Sequence, residues 1–287
     1  MGTETEHRLA IVGAGVMGTN ITTLAIGHGV PVVLVDVSED VLAKARTTIK
    51  QKLRHAQLMG ALPAGCPQGQ LTTTVSLADV AGSTTVIEAV TEVTETKAKV
   101  LAGVSALIEP GTLVISNTSC IPIDEMAASV EHPEDLVGVH FMNPSYLIKM
   151  VEVIRGTQTS DSTMHAVTSL LEALGRQALV INDSAGFVIN RLLHPLINTA
   201  AMLVQEGVAS AEVVDGLLEG CLGHSTGPLR TGDLIGLDNL VDSLNVLYER
   251  RGEECYRPCE LLLEKVRTGD HGRKTGRGFF DYGRVVS

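Results

Sequence analysis

His140 and Glu152 are the residues whose types and setting first invite chemistry. His140 ends the apolar run Leu136-Val137-Gly138-Val139-His140, and Glu152 is the single acid within Lys149-Met150-Val151-Glu152-Val153-Ile154. An imidazole titrates near neutrality, so it can take a proton from a hydroxyl. A carboxylate beside it orients the ring and stabilises its charged form. Oxidising a carbinol by hydride removal needs such a base. A lone histidine at a strand end is more often structural, so the pairing carries the reading, with His140 as base and Glu152 as its orienter.

A hydride needs an acceptor, and the first stretch of the chain is built to hold one. Ala10-Ile11-Val12 reads as a buried strand, Gly13-Ala14-Gly15-Val16-Met17-Gly18 as a Gly-x-Gly-x-x-Gly turn, and Val16 to Ala25 as a helix. Gly13 allows the tight turn, Gly15 lets backbone approach a pyrophosphate, and Gly18 lets helix and strand pack closely. With Val16 and Met17 these glycines present a helix N-terminus to phosphate charge. A second strand, Pro31 to Val35, ends at Asp36, about where an acid binds the adenine ribose hydroxyls. A carboxylate there repels a 2′-phosphate, so the cofactor expected is NAD rather than NADP. The plainer reading of Asp36 is a cap on the next helix.

These residues must be positioned by a repeating framework. Ser38 opens a helix with the apolar stripe Val41, Leu42, Ala45, Ile49 and Leu53, and 60–70 is a loop rich in Gly and Pro. Strands are expected at 71–75, 84–90, 113–116, 136–143 and 149–154, and helices at 97–108 and 123–130. Alternation of this kind predicts an α/β, Rossmann-type doubly wound parallel sheet. Ligands of such sheets bind beyond the carboxyl ends of the strands. Polar groups accumulate there: Glu92, Asn117, Ser119, His140 and Asn143. From Ser184 the pattern turns to helices alone, at 184–205, 211–222, 238–248 and 259–267. The expected division is a dinucleotide-binding domain over 1–184 and a helical substrate-binding and dimerisation domain over 185–287.

Composition excludes several classes of partner. The 287 residues carry a formal charge of -11, with 3% aromatic residues and no Trp, which argues against nucleic acid. No apolar run reaches membrane-spanning length, and Met1-Gly2-Thr3-Glu4-Thr5-Glu6 does not resemble a leader, so a cytoplasmic protein without membrane attachment is expected. Cys66, Cys120, Cys221, Cys255 and Cys259 are odd in number and form no Cys-x-x-Cys pair, which predicts reduced thiols and no metal centre. One segment runs against the overall charge. No acid falls between Val41 and Ala78, whereas Lys44, Arg46, Lys50, Lys52 and Arg54 do, and Arg46, Lys50 and Arg54 share a stripe at four-residue spacing. This is either a solvated helix face or a landing site for coenzyme A phosphates or an acidic carrier protein.

The chain resembles the 3-hydroxyacyl-CoA dehydrogenase family, and 3-hydroxybutyryl-CoA dehydrogenases in particular. Beyond the glycine turn, the matching residues are Glu88-Ala89-Val90 with Glu92 and Lys97, Asn117-Thr118-Ser119, His140-Phe141-Met142-Asn143-Pro144 and Val151-Glu152-Val153-Ile154. Further on they are Gly186 to Arg191, Gly227-Pro228-Leu229, Asp233 to Asp238 and Lys274 to Phe279. The resemblance implies catalysis by His140 and Glu152, and substrate hydrogen bonds from Ser119 and Asn190, with Asn143 also on the substrate side. It places Glu92, Lys97 and Asn117 at the cofactor. It implies a homodimer built through the helical domain, and reversible oxidation of an (S)-3-hydroxyacyl thioester to the 3-oxoacyl thioester with NAD.

Three departures concern the acyl pocket: Val93 stands for the usual Asn, Tyr146 for a Pro, and Ser225-Thr226 for Pro-Met. Cys221 to Leu229 and Tyr256-Arg257-Pro258-Cys259 resemble a subgroup from polyketide antibiotic pathways. That subgroup oxidises glyceryl thioester on an acyl carrier protein to the 2-hydroxy-3-oxopropionyl thioester for extender units. The expectation leans to that substrate, with (S)-3-hydroxybutyryl-CoA as the alternative. A non-catalytic, crystallin-like NAD-binding protein is the alternative of another class. A 6-phosphogluconate-type dehydrogenase would need lysine where His194 stands.

Overall fold

The computed structural model describes residues 7–283. Met1 to Glu6, on which the expectation of no leader bears, therefore lie outside the described residues. The chain divides between Ser184 and Ala185 into two compact units.

The first unit runs β1 (Leu9–Val12), α1 (Val16–Gly27), β2 (Val32–Val35), α2 (Glu39–Leu58), β3 (Leu71–Thr74), β4 (Thr85–Glu88), α3 (Thr94–Ser105), β5 (Leu113–Ser116), α4 (Ile123–Ala127), β6 (Leu136–His140), β7 (Met150–Arg155), α5 (Asp161–Ala173) and β8 (Gln177–Asn182). Its eight strands form one sheet in the order β3-β2-β1-β4-β5-β6-β7-β8. Residues alternate across the pleat. Leu9 and Ile11 pack with Ile21, Leu24, Leu42 and Ile49 of α1 and α2, whereas Ala10 and Val12 pack with Val86 and Val104 on the other face. Buried on both faces, β1 reads as a continuous apolar run, and β4 and β5 as apolar runs that end in Glu88 and Ser116.

The expectation of a parallel sheet needs correction at one corner. Strands β1 to β6 pair in parallel, but β7 runs antiparallel to β6 and β8 follows β7 in parallel. The cause is connection length. A parallel crossover needs about a dozen residues or more, and the segment 141–149 is too short to provide one. Boundaries shift as well. Helix α3 starts at Thr94 rather than Lys97, which moves Lys97 into the first turn, and α4 stops at Ala127 rather than Val130. Helix α5 and strand β8 add to the elements expected from the sequence, and Ser160 caps α5 by accepting from the Thr163 N–H.

The second unit holds α6 (Ile189–Gln205), α7 (Ala211–Leu222), α8 (Pro228–Ile235), α9 (Leu237–Arg251) and α10 (Glu260–Thr268). Ile197, Leu229, Leu237, Leu240, Leu244 and Leu262 form its core. Asp233 lies inside this unit and accepts from the backbone N–H groups of Phe279 and Phe280 and from the Tyr282 hydroxyl. Burial raises the Asp233 carboxyl, and burial together with Asp233 pushes the Tyr282 hydroxyl up to about 12. Asp215 accepts from the N–H groups of Leu229 and Arg230 at the start of α8. The motif residues Gly227 to Leu229 and Asp233 are thus engaged in scaffolding their own unit.

All five cysteines are free thiols. Among the described residues, no helix is long and apolar enough to cross a membrane.

Candidate active site

The antiparallel corner brings together the two residues expected from the sequence to transfer a proton. In the β6–β7 register His140 stands directly opposite Glu152. His140 Nδ1 lies 2.8 Å from Glu152 Oε2, and both residues are 6% exposed. Direct cross-strand neighbours have Cβ atoms about 5 Å apart, so an imidazole and a carboxylate meet there with little freedom to part. With Nδ1–H donated to Glu152, the ring is held in the tautomer whose Nε2 accepts a proton. The reversal of β7 also puts the start of that strand, with Glu152, at the carboxyl edge of the parallel strands.

The glycine turn lies at the same edge. Gly13 has φ +107°, and a Cβ there would meet the Ala89 carbonyl oxygen at 2.5 Å. A Cβ on Gly18 would lie 1.8 Å from the Gly13 carbonyl oxygen. Gly15 differs, since a Cβ there would meet nothing within 4 Å. Gly15 is also the N-cap of α1, which has no side-chain cap and no acid in its first turn. Gly15 and Val16 are exposed and Met17 is half-buried. An uncapped helix start facing open space fits a diphosphate.

Asp36 follows β2 and faces this turn. Its Oδ2 accepts from the Ala14 N–H at 2.9 Å and its Oδ1 from the Ser38 N–H at 3.2 Å. The N-cap of α2 is Ser38, whose hydroxyl accepts from the Val41 N–H, so the helix does not need Asp36 as its cap. A carboxylate offers about four acceptor sites, which leaves Asp36 capacity for a pair of ribose hydroxyls. These features together fit NAD.

Beyond β4 and β5 the polar residues form one connected set. Glu88 and Lys97 are both wholly buried, with Lys97 Nζ 2.8 Å from Glu88 Oε1 and 3.2 Å from Glu92 Oε2. Ser116 donates to Glu88 Oε2 at 2.6 Å. Glu92 Oε1 accepts from the Thr118 hydroxyl, the Ser119 N–H and the Cys120 N–H at 2.5, 2.7 and 2.9 Å. Partial burial opposes ionisation of Glu92. The Lys97 ammonium and these three donors outweigh it and hold the carboxyl below its usual range. In the sequence Glu88 stands only as a letter of a motif, yet an acid closing the apolar run Thr85-Val86-Ile87 is a signal in itself.

Two asparagines fasten the loops around the dyad. Asn117 Oδ1 accepts from the Phe141 N–H at 3.2 Å, tying the end of β5 to the residue after His140. Asn143 Oδ1 accepts from Asn20 Nδ2 at 2.8 Å, tying that loop to α1. A little further on, Tyr146 is buried with its hydroxyl 3.2 Å from His55 Nδ1, the rings meeting edge-on. The unusual Tyr146 therefore fastens the loop after β6 to α2.

On α2, Lys44, Arg46, Lys50 and Arg54 are exposed, and Arg46 Nη1 donates to the Thr73 hydroxyl at 2.6 Å. Lys52 stands apart from these: it is half-buried, its ammonium donates to the Thr19 hydroxyl at 2.9 Å, and desolvation lowers its pKa to about 8. Asn190 belongs to the second unit, where it is buried in the first turn of α6. Apart from these groups, His132, Glu134 and Asp135 bring ligand-type atoms within 4.8 Å of one another, where the sequence suggested no metal set. All three are already engaged: Asp135 Oδ2 accepts from the Gly111 N–H at 2.7 Å, and His132 Nδ1 lies 3.4 Å from Glu134 Oε1.

A glycine turn at the first crossover, an acid after β2 and a buried His–Glu pair at the same sheet edge define a dinucleotide-dependent oxidoreductase. The chain belongs to the 3-hydroxyacyl-CoA dehydrogenase family: residues 8–184 match the family's NAD binding domain and 186–282 its C-terminal domain. Its cofactor is NAD, and it is an oxidoreductase of CH–OH groups. A probable 3-hydroxybutyryl-CoA dehydrogenase of Deinococcus radiodurans is 38% identical over 278 residues, covering 96% of this chain and 100% of that one. The 3-hydroxybutyryl-CoA dehydrogenase of Bradyrhizobium diazoefficiens is also 38% identical, covering 96% and 95%. Among solved structures, the (S)-3-hydroxybutyryl-CoA dehydrogenase of Ralstonia eutropha superposes with a TM-score of 0.87 at 35% identity, covering 98% of this chain and 100% of that one.

Proposed function

We propose that this enzyme oxidises a short (S)-3-hydroxyacyl thioester of coenzyme A to the 3-oxoacyl thioester, with His140 as the base. The observation that carries the reading is the cross-strand pair of His140 and Glu152 at 2.8 Å. Bound NAD supplies the acceptor for the C3 hydride. His140 takes the hydroxyl proton at Nε2, and Glu152, fixed on Nδ1, stabilises the imidazolium that results. Ser119 and Asn190 hydrogen-bond the substrate oxygens, and Asn143 lines the substrate side. Glu92, Lys97 and Asn117 border the cofactor, Gly15, Val16 and Met17 its diphosphate, and Asp36 its adenine ribose. The relatives named for 3-hydroxybutyryl-CoA support the acyl class.

Lys44, Lys50 and Arg54 on α2 suit the phosphates of coenzyme A. One observation favours a second reading, in which the thioester is a glyceryl group on an acidic acyl carrier protein. Tyr146 stands where the family has Pro and is buried against His55 of α2, so the acyl-side loop and the basic helix are joined. The reading includes a homodimer through the helical unit, where α6 and α7 leave Leu192, Leu217 and Leu222 exposed. Five free thiols suit a reducing, cytoplasmic setting.

The test is NADH formation with (S)-3-hydroxybutyryl-CoA and with glyceryl thioester on a carrier protein, assayed in parallel. Faster turnover of the CoA ester is expected. Preference for the carrier substrate would move the enzyme to the second reading, and no turnover of either would leave a non-catalytic NAD-binding protein.

A further inference from the structure

The buried charges beneath β4 and β5 contribute little as stabilisers. Two ions withdrawn from water lose in desolvation much of what their attraction returns, so a buried pair is weak support for a fold and is better suited to fixing one arrangement. Here the pair sits inside a chain of bonds with two anchors on one loop. Ser116, the last residue of β5, donates to Glu88 Oε2. Glu88 Oε1 holds the Lys97 ammonium and the Val90 N–H at 2.8 Å each. Lys97 reaches Glu92 Oε2, and Glu92 Oε1 returns to the Ser119 and Cys120 N–H groups. The relay leaves β5 at Ser116 and rejoins the same connection at Ser119.

We propose that Glu88 is a positioning residue, which through Lys97 sets the Glu92 carboxylate that clamps the Ser119 backbone. The inference deepens the proposed function and rests on its assignment of Ser119 as a substrate contact. Each carboxylate has divided duties. One oxygen of Glu92 faces Lys97 while the other gathers three donors, and one oxygen of Glu88 faces Lys97 while the other takes Ser116. Neutralising Glu88 leaves the ammonium with a single charged partner. Lys97 then moves toward Glu92 and draws its carboxylate away from the Ser119 and Cys120 N–H groups. Substrate alignment suffers, because a displacement of about 1 Å in a positioning group costs up to about a hundredfold in rate.

The experiment is a double-mutant cycle between Glu88→Gln and Ser119→Ala in the full-length NAD-loaded enzyme, reading NADH formation from (S)-3-hydroxybutyryl-CoA. Positioning predicts that Glu88→Gln lowers kcat/KM for the thioester by about 10- to 100-fold at saturating NAD, with the circular dichroism of the native enzyme retained. In the Ser119→Ala background the same change should cost less than about threefold, because residues acting through one contact are not additive. Equal fold-losses in both backgrounds would overturn the proposal and leave the role of Ser119 intact. An unchanged kcat/KM for Ser119→Ala alone would instead remove Ser119 from substrate binding, and the relay's function with it. If Glu88→Gln does not accumulate as folded protein, Lys97→Gln replaces it in the cycle, with non-additive losses again expected and equal losses again overturning the proposal.

Discussion

The nucleotide turn and the proton-transfer corner lie on one edge of one sheet, yet they are built in opposite ways. The turn is local. Its geometry is dictated by small residues within Gly13 to Gly18, backbone against backbone, with Asp36 and the Ala89 backbone as distant neighbours. The corner is non-local, since His140 and Glu152 meet only because β7 reverses and the register places them opposite. A local device fails through one added methyl group. A paired device fails through loss of either member. Hydride acceptance and proton acceptance should therefore be separable by mutation.

The largest effects remove one device outright. Gly18→Ala puts a Cβ at 1.8 Å from backbone that cannot yield, so loss of the folded first unit is expected, seen as missing near-native circular dichroism or insoluble expression. His140→Ala should reduce turnover about 10²- to 10⁴-fold with NAD affinity within about twofold, checked by NADH fluorescence titration. Glu152→Gln keeps a hydrogen-bonding group of the same size and removes the charge, and a loss of about 10- to 10³-fold in kcat is expected with the same intact NAD binding.

Intermediate effects probe the nucleotide side. Gly15→Ala meets no protein atom within 4 Å, so the fold should survive while NAD binding weakens about tenfold or more, because the added methyl occupies space the diphosphate needs. Asp36→Ala should weaken NAD by a similar factor and relax discrimination against NADP, with kcat at saturating NAD little changed. Equal NAD affinity would show that another residue reads the ribose.

The smallest effect concerns Lys52. Desolvation lowers its pKa from 10.5 to about 8, so between those values the unfolded chain binds more protons than the folded one. Stability from this group then rises as pH increases from about 8 to 10.5, and its cost is fully present below 8. The site is half-exposed, so screening reduces the change to about 1 kcal/mol. Urea unfolding at about pH 7.5 and about pH 10, on either side of most of that window, should show the increment as the difference between the native chain and Lys52→Met.

The same contrast explains what the sequence reveals. Gly13, Gly15, Gly18 and Asp36 are legible because their chemistry depends on short spacing, and β1, β4 and β5 because burial on both faces leaves apolar runs. His140 and Glu152 can be paired by chemistry, but the antiparallel turn that joins them emerges only when the length of 141–149 is set against the needs of a crossover. Strand β8 carries the apolar run Ala178 to Ile181, yet Leu179 and Val180 are exposed, so the run does not mark a strand buried on both faces. The link between Glu88 and Lys97 is hidden because a strand end and the first turn of the next helix are brought together by the fold, not by spacing. Lys52 falls among the basic residues of α2 but off the stripe of Arg46, Lys50 and Arg54, and sequence does not show that its head turns to Thr19.

The proposed base for oxidation of a 3-hydroxyacyl thioester by NAD is His140, held by Glu152. The decisive comparison is NADH formation from (S)-3-hydroxybutyryl-CoA by the native enzyme and by His140→Ala, both at saturating NAD. Robust turnover by the native chain and loss of about three orders of magnitude in the variant is expected. Comparable turnover by the two proteins would remove His140 from the mechanism and move the proton to another group.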